Sequence, residues 1–166
     1  MKESVQKELK LLLLIVLSIF CLTACGEKAT HIKKAESFIK LQVDCGTYQE
    51  VDEPEIKEKF LNYMSEEAYE AYKKEQFLYM YPDLFEQLGA KEVEIKKIKC
   101  TQSTKDEKEN YTCEFEVSYK IKTNNKSIDM VDHLRIKLTQ EGQVVEDIIL
   151  NTSDLIKKLI LDIKIQ

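Results

Sequence analysis

Six apolar residues, Tyr111, Cys113, Phe115, Val117, Tyr119 and Ile121, alternate strictly with polar neighbours near the middle of this chain. A two-residue period belongs to a β-strand, whose successive side chains point to opposite faces, and a helix cannot gather it into one apolar surface. A strand with one dry and one wet face needs antiparallel neighbours and an apolar layer over the dry side. The flanking sequence offers the neighbours. Val93 and Ile95, then Ile98 and Cys100, are apolar but out of phase, which predicts a bulge at Lys96-Lys97. After a tight turn at Asn124-Asn125, a third strand carries Ile128, Met130, Leu134, Ile136 and Leu138. Glu141-Gly142 reads as another turn, and Val144 to Leu150 as a fourth strand.

Before Lys91 the period is helical. Ile32, Ala35, Ile39 and Val43 share one face of a helix that Thr30 can cap and Cys45-Gly46 can end. A second helix starts at Asp52 or Glu53, with Pro54 in its first turn and Ile56, Phe60, Tyr63 and Met64 on its apolar face. Ser65 reads as a fresh N-cap, followed by Ala68, Tyr69 and Tyr72. Phe77 to Tyr81 form an aromatic cluster that Pro82 is expected to close, with a short helix from Asp83 to Leu88 stopped by Gly89. The tail from Asp154, with Leu155, Ile156, Leu159, Ile160 and Ile163, reads as an amphipathic helix. Helices first and an antiparallel meander second is an α+β pattern: N-terminal helices packed on a curved sheet of about four strands, then a C-terminal amphipathic helix.

The N-terminus has its own logic. Lys2, Lys7 and Lys10 precede a 12-residue run from Leu11 to Leu22 that is apolar apart from Ser18. That run falls short of the ~20 residues of a spanning helix and has the layout of a signal peptide. Its end, Leu22-Thr23-Ala24-Cys25, resembles the lipobox of bacterial lipoproteins. The resemblance implies a diacylglyceryl thioether on Cys25 and cleavage between Ala24 and Cys25. Cys21 is unsuited, because bulky Ile19 and Phe20 would then precede the cut. The organisation expected is a cleaved signal peptide over residues 1–24, a lipidated tether over 25–29 and one α+β domain over 30–166. The protein would stand outside the cytoplasm, held on the outer face of the cell membrane.

Cleavage leaves 142 residues, enough to bury a core. They carry 22 basic and 28 acidic groups, a net charge of −6, and Arg135 is the sole arginine. Nucleic-acid binding, which depends on dense positive charge, is set aside. Two distant histidines and no CxxC pair give no reason to expect a metal, and no cofactor motif is present. Cys100 and Cys113 fall opposite each other if the first hairpin centres on Asp106-Glu107, with Ile98 against Phe115. A Cys100–Cys113 bridge would then stabilise by ~3 kcal/mol; two buried free thiols are the equal alternative. Cys45 reads as a core cysteine at a helix end.

The segment Tyr63-Met64-Ser65-Glu66-Glu67-Ala68-Tyr69, with Gln140-Glu141-Gly142-Gln143-Val144-Val145-Glu146-Asp147-Ile148 after the hairpins, resembles small Gram-positive lipoproteins of the nuclear-transport-factor-like (cystatin-like) cone fold. Val144 stands where that last strand often has Trp. The resemblance implies a fold and not one activity. It also makes the cone interior the place to look. Strict alternation turns Asp132 inward beside Met130 and Leu134, where an apolar setting would raise its pKa toward general-base duty, as for an aspartate in ketosteroid isomerases of this fold. Against that stand a bulge at Val131 turning Asp132 outward, or a plain hydrogen bond to a tyrosine, and these are preferred. Tyr69, Tyr72, Tyr119 and Asp132 are the candidate pocket residues. The leading functional expectation is a non-enzymatic, membrane-anchored binding module for a small molecule, peptide or protein. The alternatives are a small acid–base enzyme (isomerase, lyase or hydrolase-like) built on Asp132, and a bacteriocin-immunity or conjugation-accessory lipoprotein. A cone filled by Phe115, Met130 and Leu134 would favour the interaction module.

Overall fold

The structure, a computed structural model, describes residues 26, 28–46, 54–75, 77–150, 153–155 and 157. The leader with Ala24, the lipidation candidate Cys25 and the tail beyond residue 157 lie outside the described residues. Helix α1 covers 28–45, α2 Pro54–Leu61 and α3 Glu66–Lys74. A 3₁₀ turn at Phe77–Tyr79 leads into α4, Met80–Gln87. Four strands follow: β1 Ala90–Lys105, β2 Tyr111–Thr123, β3 Ser127–Leu138 and β4 Val144–Ile149. They form one antiparallel sheet in the order β1-β2-β3-β4, so the α+β architecture and the curved four-stranded meander are as the periodicities imply.

Thr30 does not cap α1 as expected: the helix is already formed at residue 28, inside the span expected as tether, and the Thr30 hydroxyl donates to the Gly26 carbonyl at 2.9 Å. Ser65 caps α3 by accepting a hydrogen bond from the Ala68 amide, Glu66 and Glu67 sit at the positive end of the helix dipole, and Lys73 and Lys74 at the negative end. The apolar stripe of α1 buries Ala35, Phe38, Ile39 and Val43. Phe38 meets Phe60 edge to face at 5.9 Å and Tyr72 at 6.3 Å, which ties α1 to α2 and α3. Pro82 does not close the aromatic cluster as expected: α4 begins at Met80 and holds Pro82 in its first turn, where the missing amide has no partner to lose. Gly89, at φ 64°, ends that helix in the left-handed region. Gly46 is needed for a different reason: a Cβ there would come within 2.7 Å of the Phe85 ring and 2.8 Å of Tyr81 Cβ.

Beneath the helices, the inward residues of β2 and β3 are buried almost without interruption, with His31 of α1 stacked on Tyr111 at 3.9 Å. The outer strand β1 is irregular. Its register against β2 slips between Ala90 and Glu92, between Ile95 and Lys97, and between Cys100 and Gln102. The middle slip is the bulge expected at Lys96-Lys97. The other two were not signalled by a phase break between apolar residues. All three leave a pair of consecutive exposed polar residues, and each adds twist and bend to the edge.

The third bulge corrects the cysteine register. Cys100 faces Phe115, Cys113 faces Ser103, and Ile98 faces Val117. The turn is also longer than expected. Asp106 Oδ1 accepts from the amides of Lys108 and Asn110, both at 2.9 Å, and Glu109 adopts φ 65°, so strand pairing resumes only at Lys105 with Tyr111. A side-chain-nucleated turn centred on residue 108, plus one extra residue at Thr101, moves Cys100 out of line with Cys113. Cys45, Cys100 and Cys113 are all free thiols. Cys113 Sγ instead lies 3.5 Å from Ser103 Oγ. Replacing that hydroxyl, Ser103→Cys should therefore form a bridge to Cys113 under mild oxidation, in preference to Cys100–Cys113. Peptide mapping by mass spectrometry reads the linkage, and a Cys100–Cys113 product would contradict the register.

Candidate functional site

Two carboxylates are enclosed on the helix-covered face of the sheet. Asp132, on β3, has no exposed surface. The Tyr119 hydroxyl on the adjacent strand donates to its Oδ2, and the Leu155 amide donates to its Oδ1 at 3.1 Å. Burial pushes its pKa up to about 6, with the Leu155 amide and the Ser153 hydroxyl pulling the other way. Inward alternation therefore holds, no slip interrupts the β2–β3 register at Val131, and the tyrosine hydrogen bond is present. The next acid along, Asp154, accepts from the Val131 amide at 3.0 Å. Together these bonds fasten residues 153–155 to β3.

Asp132 does not line the cleft found among the described residues. Phe115, Met130 and Leu134 are each at most 2% exposed and fill the cone around it. The four residues expected to line one pocket are divided. Tyr119 and Asp132 pair with each other in the interior, and Tyr69 is buried against Phe60 with Lys57 Nζ 5.6 Å from its ring. Tyr72 alone reaches an opening.

That opening is a cleft of about 300 Å³ between α3 and β4. Met64, Ala68 and Ala71 form the helical wall, Val144, Val145 and Ile148 the strand wall, and Tyr72 and Phe77 stack at 5.5 Å along it. The acids Glu75, Glu146 and Asp147 complete the lining, with no basic residue among them. Asp147, the second enclosed carboxylate, is held by Gln42 of α1 and Tyr72 of α3. Gln42 Nε2 donates both to the Tyr72 hydroxyl and to Asp147 Oδ2, and the hydroxyl donates to Oδ2 at 3.1 Å. Asp147 as a residue is half-buried, but its Oδ1 is sealed from solvent and unpartnered, as is Gln42 Oε1. Two orphan acceptors on one amide–carboxyl pair are the sites that a single proton can serve, since protonation turns one carboxyl oxygen into a donor. Consistently, burial raises the pKa of Asp147 to about 6, against the opposing hydrogen bonds of Gln42 and Tyr72. The buried Tyr81 hydroxyl lies close to Asp132, and burial, then the charges of Asp132 and Asp147, drive its pKa well above the ordinary value.

Gln42 and Asp147 were not singled out by the sequence. The signal was there: Gln42 interrupts the stripe of Phe38, Ile39 and Val43, and Asp147 lies two residues before Ile149, in the same inward phase of its strand. A polar residue in a helical apolar stripe and an acid in a strand's inward phase mark the same polar spot. Comparison with protein-family models, with curated proteins and with solved structures returns no match.

Both carboxylates bind a proton more tightly folded than unfolded, where their ordinary value is 3.8. Their contribution to stability is therefore complete below that value and is lost as pH rises through about 6. Each shift corresponds to about 3 kcal/mol at most. The urea midpoint should be higher at pH 5 than at pH 7.5. Asp147→Asn and Asp132→Asn should each flatten that slope, and an unchanged slope in both variants would contradict the burial of these groups.

Proposed function

We propose that this chain is a binding module tethered by a lipid on Cys25 to the outer face of the cell membrane, with the α3–β4 cleft as its ligand side. The tether rests on the Leu22-Thr23-Ala24-Cys25 sequence behind a charged and then apolar leader. Two acyl chains on one glycerol hold a protein durably where one chain does not, at ~0.8 kcal/mol per buried CH₂. The negative domain has little affinity for anionic lipid, so the anchor carries the attachment. Among the described residues no helix is long and apolar enough to cross a membrane.

The observation that carries the binding reading is the separation of the two carboxylates. Asp132, the residue suited to proton transfer, is packed beneath Phe115, Met130 and Leu134, with its oxygens committed to Tyr119 and Leu155. The α3–β4 cleft lies elsewhere, and its walls are apolar and aromatic with acids at the rim. A cleft of that kind suits recognition by burial and a few polar contacts. An acid–base enzyme built on Asp132 would need those side chains to move aside for substrate.

Two measurements test this. Radiolabelled palmitate should enter the wild-type chain, while Cys25→Ala should remain an unlabelled, uncleaved precursor; labelling of that variant would refute the anchor. For the ligand side, small-fragment titration of the detergent-solubilised chain should move amide signals of Ala71, Phe77 and Val145. Shifts centred on Tyr119 and Asp132 instead would move the site to the cone interior and revive the enzyme.

A further inference from the structure

The two edges of the sheet are built differently. β1 carries five lysines (Lys91, Lys96, Lys97, Lys99 and Lys105) and three bulges. Lysines and bulges are the means by which proteins keep an exposed edge from pairing with other chains. β4 has a single slip, at Val145 near its start, and neither lysine nor proline in its sequence Val-Val-Glu-Asp-Ile-Ile, and it pairs on one side only among the described residues. Two of the three exposed large hydrophobic residues among the described ones are on it, Val145 at 52% and Ile148 at 36%. The Val144 amide is held by the Tyr63 carbonyl at 2.6 Å, which fixes the start of the strand against the α2–α3 turn. At the other end Leu150 donates its amide to the His133 carbonyl at 2.7 Å. In an antiparallel ladder this alternation puts the backbone groups of Arg135 and Ile148 toward each other, and turns those of Asp147 and Ile149 to the open edge.

We infer that β4 is a docking edge for an extended segment of another protein, one that alternates apolar and basic residues and lays side chains into the α3–β4 cleft. The occupant follows from charge and shape. Backbone pairing to Asp147 and Ile149 gives affinity without sequence preference, and the cleft supplies the selection. Its apolar walls accept aliphatic groups, and its rim of Glu75 and Glu146 has no basic residue to neutralise it. A second copy of this chain fits poorly. Two β4 strands paired antiparallel about their middle bring Glu146 or Asp147 against its own counterpart, and like charges directly opposite are destabilising. This inference rests on the cleft being the ligand side, and it adds the class of ligand.

The test uses the full chain in neutral detergent micelles and three end-blocked decapeptides: alternating valine and lysine, alternating valine and glutamate, and the valine–lysine peptide N-methylated at every second residue. The first should bind saturably and slow hydrogen exchange at the Asp147 and Ile149 amides. The glutamate and N-methyl peptides should bind at least tenfold more weakly, as should the lysine peptide to Val145→Lys, a change at an exposed position that leaves the core alone. Equal binding of the N-methyl peptide would reduce the effect to charge attraction and overturn the inference. Equal binding of the glutamate peptide, the absence of saturable binding, or binding only after removal of residues 158–166 would overturn it as well. A dimer that forms by sedimentation and is lost in Val145→Lys would make a second copy the occupant. None of these outcomes alters palmitate labelling or fragment binding in the cleft, so a failure here stays separate from a failure of the binding module itself.

Discussion

Six inward residues of β2 and five of β3 leave water together, and a two-residue period allows that in one register only. A slip of one residue would carry Glu114, Glu116 and Lys120 into the core and put Phe115, Val117 and Tyr119 in solvent. The β2–β3 pairing runs without a slip from Tyr111–Leu138 to Lys122–Ser127, and the helices settle onto the plane it defines. Phe38, Phe60 and Tyr72 meet above it, and Phe85 reaches down to Tyr119 edge to face at 6.4 Å. Irregularity is confined to the outer strands, where a bulge costs few buried contacts and can bend the sheet around the helices.

Two inward slots nonetheless hold acids. An ionised carboxylate is expensive in such surroundings, and it either finds donors or keeps its proton. Asp132 finds donors, and they come from Tyr119 on β2 and from Leu155 and Ser153 beyond β4, so this acid fixes where the chain goes after the sheet ends. Asp147 finds fewer. Its Oδ1 and Gln42 Oε1 stay unpartnered at the edge of the α3–β4 cleft, which concentrates unsatisfied polarity where the core meets the surface. A fold that needed stability alone would place an apolar side chain there.

The readable parts of the sequence were those where one period dominates. β2, the Ser65 cap and the inward phase of Asp132 all follow from local pattern, and the structure has them as read. Pro82 was misread because the aromatic run before it looked like the end of an element, whereas a first-turn proline is compatible with a helix starting at Met80. The Cys100–Cys113 alignment failed through two non-local details, an extra residue at Thr101 and an aspartate-nucleated turn, and each moves register without changing polarity. The site was harder still. Gln42 and Asp147 are 105 positions apart, so each looks like an isolated blemish in its own element until the fold brings them together.

The anchor and the open edge are also related through the direction of the strands. His31, near the start of α1, stacks on Tyr111 and lies 2.8 Å from the Gln140 carbonyl, so α1 begins at the end of the sheet where β2 and β4 start. Helix α1 is already formed at residue 28, so the stretch from Cys25 to Thr30 reaches less than the ~17 Å of a fully extended chain. In the anchored orientation proposed for this chain, that end of the sheet faces the bilayer, and β4 runs outward from it with Asp132 and Leu155 at the distal end. The edge and its cleft then stand beside the membrane rather than against it. With the proposed tether, a lysine-rich, bulged β1 and a β4 free of lysine would leave one lateral side of the domain for encounter, and a partner anchored in the same membrane would meet it there at high effective concentration.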